Sequence, residues 1–461
     1  MDFDVVVIGA GPGGYAAAVR CAQLGLRAAI IEKGKNLGGT CMNIGCIPTK
    51  ALLEAANVRS IVESSSGFGI ESIVKTVDFE KVFSRASDVI STLNNGLFGL
   101  MEANGIKVIN GTASFLNKNT VLISNENRVT AKNIVIATGA LPKTLPSSVT
   151  PDGLLREDLV WTSKEALESK VCPRNIVIVG SGAIGIEFAS FYNSMGSKVT
   201  VVEIQDRILV NEDEEIAKMA LREFTEKGIN FILKTSINKI QQYNNVIEVI
   251  YGNDKRKIFD AGLVAIGVVP NTKHLNLEKI SVKTGAGGNI IVDNKMETSV
   301  KGIYAVGDIT NPPFLAHKAS REGAICAESI AGISETRPLD PLKIPACTYS
   351  NPQIASIGMT EKKAVESGQS IRIGKAYFKS NGKSMAIGAD SGFIKVIFED
   401  KTGELLGAHM IGHDVTEIIS VFSTAISAEL TDRELLNTVF PHPTISECIH
   451  NAVLNSLGRA A

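Results

Sequence analysis

Asp4-Val5-Val6-Val7-Ile8-Gly9-Ala10-Gly11-Pro12-Gly13-Gly14 is the first regular pattern in the 461-residue chain, and its reading decides the fold. Residues 4–9 are short, β-branched and unbroken by polar side chains, as in a strand buried on both faces. An Ala-rich helix is expected from about Tyr15 to Leu24, then a second strand from Arg27 to Ile31 ending on Glu32. Strand, glycine turn, helix, strand and terminal acid together form a dinucleotide fingerprint. Gly9 allows the tight turn, Gly11 lets the backbone approach a pyrophosphate, and Gly14 lets helix pack on strand. Glu32 is placed to accept hydrogen bonds from ribose hydroxyls.

The pattern recurs at Asn175-Ile176-Val177-Ile178-Val179-Gly180-Ser181-Gly182-Ala183-Ile184-Gly185. A helix is expected from about Ile186 to Met195, and a strand from Lys198 to Val202 ends on Glu203. Gly9 corresponds to Gly180 and Glu32 to Glu203, both 171 residues on. Two complete fingerprints in one register argue for two dinucleotide sites in a duplicated α/β architecture. Between them Pro142, Pro146, Pro151 and Pro173 mark a crossing into a new domain. A carboxylate at the position of Glu203 accepts from a ribose 2′-hydroxyl but repels a 2′-phosphate. Gln205-Asp206 add no base, and Arg207 lies past the expected contact, so the second site points to NAD.

Gly38-Gly39-Thr40-Cys41-Met42-Asn43-Ile44-Gly45-Cys46-Ile47-Pro48-Thr49-Lys50 sets two cysteines on either side of four residues. If the segment enters a helix near Cys41, the first turn can bend so that the sulfurs meet. Free backbone N–H groups there, with Lys50 nearby, would lower a cysteine pKa. A bridge over so short a loop constrains little of the unfolded chain, so a staple explains it poorly. The spacing is not the short pair repeated in zinc sites, no second pair follows, and no metal site is expected. The pair reads as a dithiol that opens and closes; two buried, inert cysteines are the alternative.

Hydrophobic residues make up 44% and charged residues 21%, and the net charge is −1. These values describe a globular protein of about three domains without electrostatic preference for nucleic acid or anionic membrane. No window approaches the roughly 20 apolar residues of a membrane span. Met1-Asp2-Phe3-Asp4 carries acid where a targeting peptide would carry base. With five of its seven cysteines scattered, the chain is expected in a reducing, cytoplasmic compartment.

Helix is expected over most of Ala51 to Met101, and a β-meander from Lys107 to Asn125 with Gly111-Thr112-Ala113 at one turn. Ile134-Val135-Ile136-Ala137-Thr138-Gly139-Ala140 and Gly302-Ile303-Tyr304-Ala305-Val306-Gly307-Asp308 read as strands ending in turns; Asp308 could also be a helix N-cap. After Ile344-Pro345 short strands recur at Gln353–Gly358, Lys375–Phe378 and Phe393–Glu399. Helices are expected near Thr360–Ser367, Val415–Ala428 and Thr431–Asn437, all without a dinucleotide motif. Pro441-His442-Pro443-Thr444-Ile445-Ser446-Glu447 holds a histidine between prolines, with Glu447 placed to orient its ring as in a base–orienter pair.

The segment 38–50 resembles the active-site signature of the pyridine nucleotide-disulfide oxidoreductases, and the likeness extends through six motifs along essentially the whole chain. Ile47-Pro48-Thr49-Lys50-Ala51-Leu52-Leu53 is most similar to members that reoxidise dihydrolipoyl groups. The resemblance implies an α/β fold with two Rossmann-like dinucleotide-binding domains, for FAD and NAD, and a C-terminal α+β dimerisation domain. The boundaries expected are 1–145 and 272–343 for FAD, 146–271 for NAD, and 344–461 for the interface. Catalytic roles implied are a redox-active Cys41–Cys46 disulfide and His442 as base, oriented by Glu447 and supplied by the opposite subunit. Lys50 and Glu187 would pair beside the flavin, although Glu187 read alone could be a solvated surface acid.

Flavin contacts are implied at Gly9, Gly11, Gly14, Glu32, Lys33, Gly39, Thr40 and Lys50. Further along they are implied at Ala113, Thr138 and Gly139, and at Asp308, Leu315, Ala316 and His317. Nicotinamide-cofactor contacts are implied at Gly180, Gly182, Ile184, Gly185, Glu187, Glu203, Ile237 and Gly267. After Gly267 the family often has Arg, where this chain has Val268-Val269, leaving a charge contact there open. The implied partners are a second copy and the lipoyl domains of 2-oxo acid dehydrogenase complexes or the carrier protein of the glycine cleavage system. Glutathione-type reductases use NADPH and carry base near the position of Glu203. Mercuric reductase ends in a cysteine pair, where this chain ends Gly458-Arg459-Ala460-Ala461. A non-catalytic NAD-responsive redox sensor is the reading from another class.

Overall fold

The computed structural model describes residues 1–124, 126–150, 159–333 and 337–459; Asn125, Pro151 and the terminal Ala460-Ala461 lie outside them. One compact unit comprises Met1–Leu52, Glu80–Lys143 and Gly267–Leu339. Its sheet runs Lys107–Asn110, Ala28–Glu32, Phe3–Ile8, Asn127–Ile136, Ile303–Ala305, all parallel. The unbroken apolar run at its centre is explained by burial on both faces. Val5 and Val7 pack with Ala17, Ala18 and Ile325, while Val6 and Ile8 pack with Phe115 and Ile290. Helices Pro12–Gln23 and Ala316–Ile330 meet where a Cβ on Gly323 would strike the Gly13 carbonyl oxygen.

The meander expected over 107–125 divides in two. Lys107–Asn110 is the parallel edge strand, whereas Ala113–Asn117, Thr120–Ile123 and the start of Asn127–Ile136 form the antiparallel meander. Gly111 makes the break with φ +149°, and a Cβ there would strike Ile123. Val268, at the family's Arg position, lies in a two-stranded ribbon with Pro142 opposite.

The second unit comprises Leu53–Phe79, Thr144–Ile266 and Asp340–Ala461. A parallel sheet ordered Asn230–Ile232, Lys198–Val202, Asn175–Val179, Ala261–Val264, Val160–Trp161 repeats the first fingerprint's arrangement. The unit also holds a five-stranded antiparallel sheet ordered Ala346–Thr348, Gln353–Gly358, Leu405–Gly412, Phe393–Glu399, Ile371–Tyr377. Helices Val415–Ser427 and Glu447–Ser456 pack against it. Its central strand Leu405–Gly412 is absent from the sequence reading. All eight residues are buried, so it shows no alternation, and two glycines and a histidine interrupt its apolar pattern. Among the described residues no helix is long and apolar enough to cross a membrane.

Helix Glu447–Ser456 lies directly on strand Ile371–Tyr377. A Cβ on Gly374 would strike the Ala452 carbonyl oxygen and stand 2.7 Å from the Ser456 nitrogen. Gly374→Ala therefore displaces the helix, with an expected loss of about 1–3 kcal/mol from overpacking. Gly382→Ala, where nothing lies within 4 Å, should leave stability unchanged or slightly raised. Thermal unfolding of the two variants checks this; equal midpoints would contradict it.

Candidate active site

Within the first unit, helix Gly39–Ile44 ends at Gly45 and helix Cys46–Ser64 begins at the next residue. Gly45 (φ −150°, ψ −115°) breaks the run because a Cβ there would stand 2.9 Å from the Thr40 carbonyl oxygen. The break brings Cys41 into hydrogen bond with Cys46. A lowered pKa was expected for one cysteine of the pair, and Cys41 is not that one. The hydrogen bond with Cys46, then burial, hold its thiol well above the usual range, while Lys50 acts in the opposite direction. Of two coupled thiols, one keeps the proton against its neighbour's charge. Asn43 fixes the segment, donating its Nδ2 to the carbonyls of Leu37 (2.7 Å) and Gly39 (2.9 Å). Its Oδ1 accepts from Nδ2 of Asn94, which is 4% exposed in helix Phe79–Ala103. The sequence reading missed Asn94: an amide in a long helix 51 residues away gives no signal.

The first fingerprint forms a cradle that a Cβ would fill. Gly39 (φ +58°) would carry its Cβ 2.7 Å from the Gly11 Cα, and a Cβ on Gly9 would strike the Ala137 carbonyl oxygen. Helix Pro12–Gln23 starts at Gly11 without a side-chain cap, which leaves its first N–H groups for an anion such as a pyrophosphate. Glu32 braces the turn: Oε2 accepts from Ala10 N (2.9 Å) and Oε1 from Gly34 N (2.9 Å). Lys33 and Thr40 are exposed beside this turn in sequence. The geometry fits a dinucleotide whose phosphates meet backbone amides.

The second fingerprint repeats these bonds within the second unit. Glu203 Oε2 accepts from Ser181 N (2.8 Å) and Oε1 from Gln205 N (2.9 Å), each 171 residues beyond its counterpart. Ser181 Oγ adds a bond of 2.7 Å. Gly180 (φ +101°) abuts the Ala265 carbonyl, and Gly185 abuts that of Gly180. Gly182 begins helix Ala183–Ser194 facing open space, and Ile184 is exposed. Ile237 is buried at the start of strand Ile237–Tyr243. Arg207 donates Nη2 to the Val210 carbonyl (2.7 Å) and lies 3.6 Å from Glu214, so the nearest cation is already engaged.

Further residues of the first unit fall where the chain turns. Ala113 is buried at the start of its strand. Thr138 donates Oγ1 to the Asn271 carbonyl (2.8 Å), and Gly139 accepts from Asn271 N (2.9 Å). Gly267 also belongs to this unit. Helix Ala316–Ile330 begins with Leu315 at its N-cap and His317 exposed. That start excludes Asp308 as the helix cap. Asp308 is half-buried; burial raises its pKa, Lys318 opposes the rise, and its charge reaches Cys41.

In the second unit Glu187 is 5% exposed, so the solvated-acid reading fails. Its Oε1 accepts from Tyr349 N (2.9 Å). His442 Nδ1 lies 2.9 Å from Glu447 Oε1, and Glu447 Oε2 accepts from Thr444 N (2.9 Å). The Thr444 amide, then the His442 ring, hold the Glu447 carboxyl below the usual carboxylate range. A carboxylate on Nδ1 makes that nitrogen the donor and leaves Nε2 as the base. The His442 side chain is 78% exposed.

Residues 3–323 match the model of the pyridine nucleotide-disulphide oxidoreductases, and residues 344–453 match that family's dimerisation domain. A dihydrolipoyl dehydrogenase from Rhizobium etli is 44% identical, covering 99% of this chain and 98% of its own. One from Zymomonas mobilis is 41% identical over the same shares. The HOCl-induced flavoprotein disulfide reductase RclA from Escherichia coli superposes with a TM-score of 0.88 at 29% identity, covering 98% of this chain and 99% of that one. Two dinucleotide cradles, a thiol pair at a helix break and these matches lead to one conclusion: the chain belongs to the pyridine nucleotide-disulphide oxidoreductase family, whose cofactors are FAD and NAD, and it carries the family's dimerisation domain.

Proposed function

We propose that the protein is a dihydrolipoamide dehydrogenase, which oxidises protein-bound dihydrolipoyl groups to lipoyl groups and reduces NAD. The observation that carries this reading is the Cys41–Cys46 thiol pair joined across the Gly45 break. The relatives from Rhizobium etli and Zymomonas mobilis, matched end to end, support it. The cycle starts from the oxidised pair. His442 Nε2 takes the proton of one dihydrolipoyl thiol, and the thiolate attacks Cys41 Sγ. The Cys41–Cys46 bond breaks, and Cys46 keeps its electron pair as a thiolate. The second substrate thiol then attacks the sulfur bound to Cys41, which closes the lipoyl ring and releases Cys41; the proton of that thiol passes to the leaving Cys41 sulfur, while His442 keeps the first. The substrate has lost two electrons and the cysteine pair has gained them. FAD, when bound, supplies the relay that carries those electrons to NAD.

Glu447 orients the imidazole, and Lys50 and Glu187 would each supply a charge to the flavin's surroundings. Asp308 accepts from the ribityl chain, and Glu32 and Glu203 receive ribose hydroxyls on lone pairs that the backbone amides leave over. Residues 1–145 and 272–343 bind FAD, 146–271 bind NAD, and 344–461 form the interface of a homodimer. Partners are lipoyl domains of a 2-oxo acid dehydrogenase complex or the glycine cleavage carrier, in the cytoplasm. The exposed His442 supports a site completed by a second subunit.

A strong preference for NAD over NADP is expected, because Glu203 would face the 2′-phosphate while Arg207 is engaged elsewhere. One like-charge contact at an effective dielectric near 20 costs about 4 kcal/mol. Even with much of that screened, kcat/KM should favour NAD by at least about tenfold. Equal values would remove Glu203 from the ribose.

His442→Gln should lower dihydrolipoamide oxidation by about 10²–10⁴-fold, as for loss of a general base. NADH reduction of an artificial dye, which bypasses the thiol step, should largely survive. A doubly tagged heterodimer of Cys41→Ser with His442→Gln should keep one intact site, because both lesions fall in the same composite site. Activity no higher than in either mutant homodimer would refute the shared site.

A further inference from the structure

A buried ion cluster in the first unit has no part in the roles assigned above. Lys318 and Glu322, both 6% exposed in their side chains, pair at 2.8 Å one turn apart on helix Ala316–Ile330. Lys318 Nζ also donates to Thr310 Oγ1 (3.2 Å). The two partners hold the peptide groups on either side of Gly307. Glu322 Oε2 accepts from Gly307 N (2.7 Å), and Thr310 donates both Oγ1 (2.7 Å) and N (2.9 Å) to the Gly307 carbonyl. Gly307 has φ +81°, and a Cβ there would lie 3.3 Å from the Ala319 Cβ, so the turn is seated against the helix.

Asp308 is the next residue. Lys318, paired directly with Glu322, acts on Asp308 at longer range: its charge favours the Asp308 carboxylate and that of Glu322 opposes it. A buried charge that loses its partner costs far more than a buried pair removed as a whole. The field of Asp308 also reaches the Cys41 thiol, so the balance at Lys318 bears on the dithiol end of the site.

We propose that Lys318 is a positioning residue of the flavin site: its ammonium holds Glu322 and Thr310, the two side chains that fix the backbone on either side of Gly307, and so sets where the neighbouring Asp308 carboxylate stands. The inference rests on the reading of Asp308 as a flavin ligand, and the test separates the two. The readout is the dissociation constant of FAD from flavin-stripped full-length protein, followed by quenching of flavin fluorescence.

Asp308→Asn should raise that constant about tenfold or more; an unchanged value would overturn the reading of Asp308. Lys318→Met should raise it by a similar factor, and Lys318→Arg, which keeps the charge, should stay within about threefold of the parent. Glu322→Gln keeps an acceptor for the Gly307 amide and should also stay within about threefold. The double variant Lys318→Met/Glu322→Gln decides the matter, because removing the pair restores the balance around Asp308. It should recover most of the affinity lost in Lys318→Met. If Asp308→Asn weakens FAD binding but Lys318→Met does not, the inference falls and the reading of Asp308 stands. A double variant no better than Lys318→Met would show that Lys318 acts through packing, which also overturns the inference. Should Lys318→Met be recovered only as aggregate, the double variant alone decides: FAD-binding protein supports the proposal, and the same aggregation contradicts it.

Discussion

The approach of two glycine backbones, Gly11 and Gly39, is the constraint on which the first unit depends. A Cβ on Gly39 would stand 2.7 Å from the Gly11 Cα, so no side chain can separate the fingerprint turn from the segment bearing the cysteines. The Gly38 amide closes the gap, donating to the Ala10 carbonyl at 2.8 Å. One strand end thereby fixes both a phosphate cradle and, six residues after Gly39, the Gly45 break that joins the two thiols. The redox pair and the dinucleotide turn form one rigid feature. Rigid placement is what a thiol-to-cofactor transfer needs, since misplacement by about an ångström costs such a step heavily.

The duplication extends beyond glycines to individual hydrogen bonds. Glu32 and Glu203 each bind the amide after the first glycine and the amide two residues beyond the acid. Each carboxylate thus stabilises its turn without any ligand. This bracing explains why an acid suits the end of the second strand in both units.

The features legible in the sequence were those that backbone geometry imposes. Glycines at close approaches, β-branched runs buried on both faces, and a histidine between prolines leave local signatures. Features created by burial left none. Lys318 and Glu322, one turn apart, give no signal as a buried pair until the fold encloses them. Asn94 reads as any helical amide until it meets Asn43. Leu405–Gly412 was invisible because a fully buried strand loses the alternation by which strands are recognised. The division of labour within the thiol pair left no signal either: a helix start argues for a lowered pKa at one cysteine, and only the hydrogen bond with Cys46 shows that Cys41 is the one raised.

The central claim is that the Cys41–Cys46 pair, and no other cysteine, carries electrons from a dihydrolipoyl group to NAD. The direct measurement is a count of free thiols by mass-tagged alkylation under denaturing, anaerobic conditions. The isolated, air-oxidised protein should show five thiols of its seven cysteines. One equivalent of dihydrolipoamide should raise the count to seven, with the new tags on Cys41 and Cys46 alone, and excess NAD should return it to five. New tags on any other cysteine, or no change at Cys41 and Cys46 while NAD is reduced, would contradict the account.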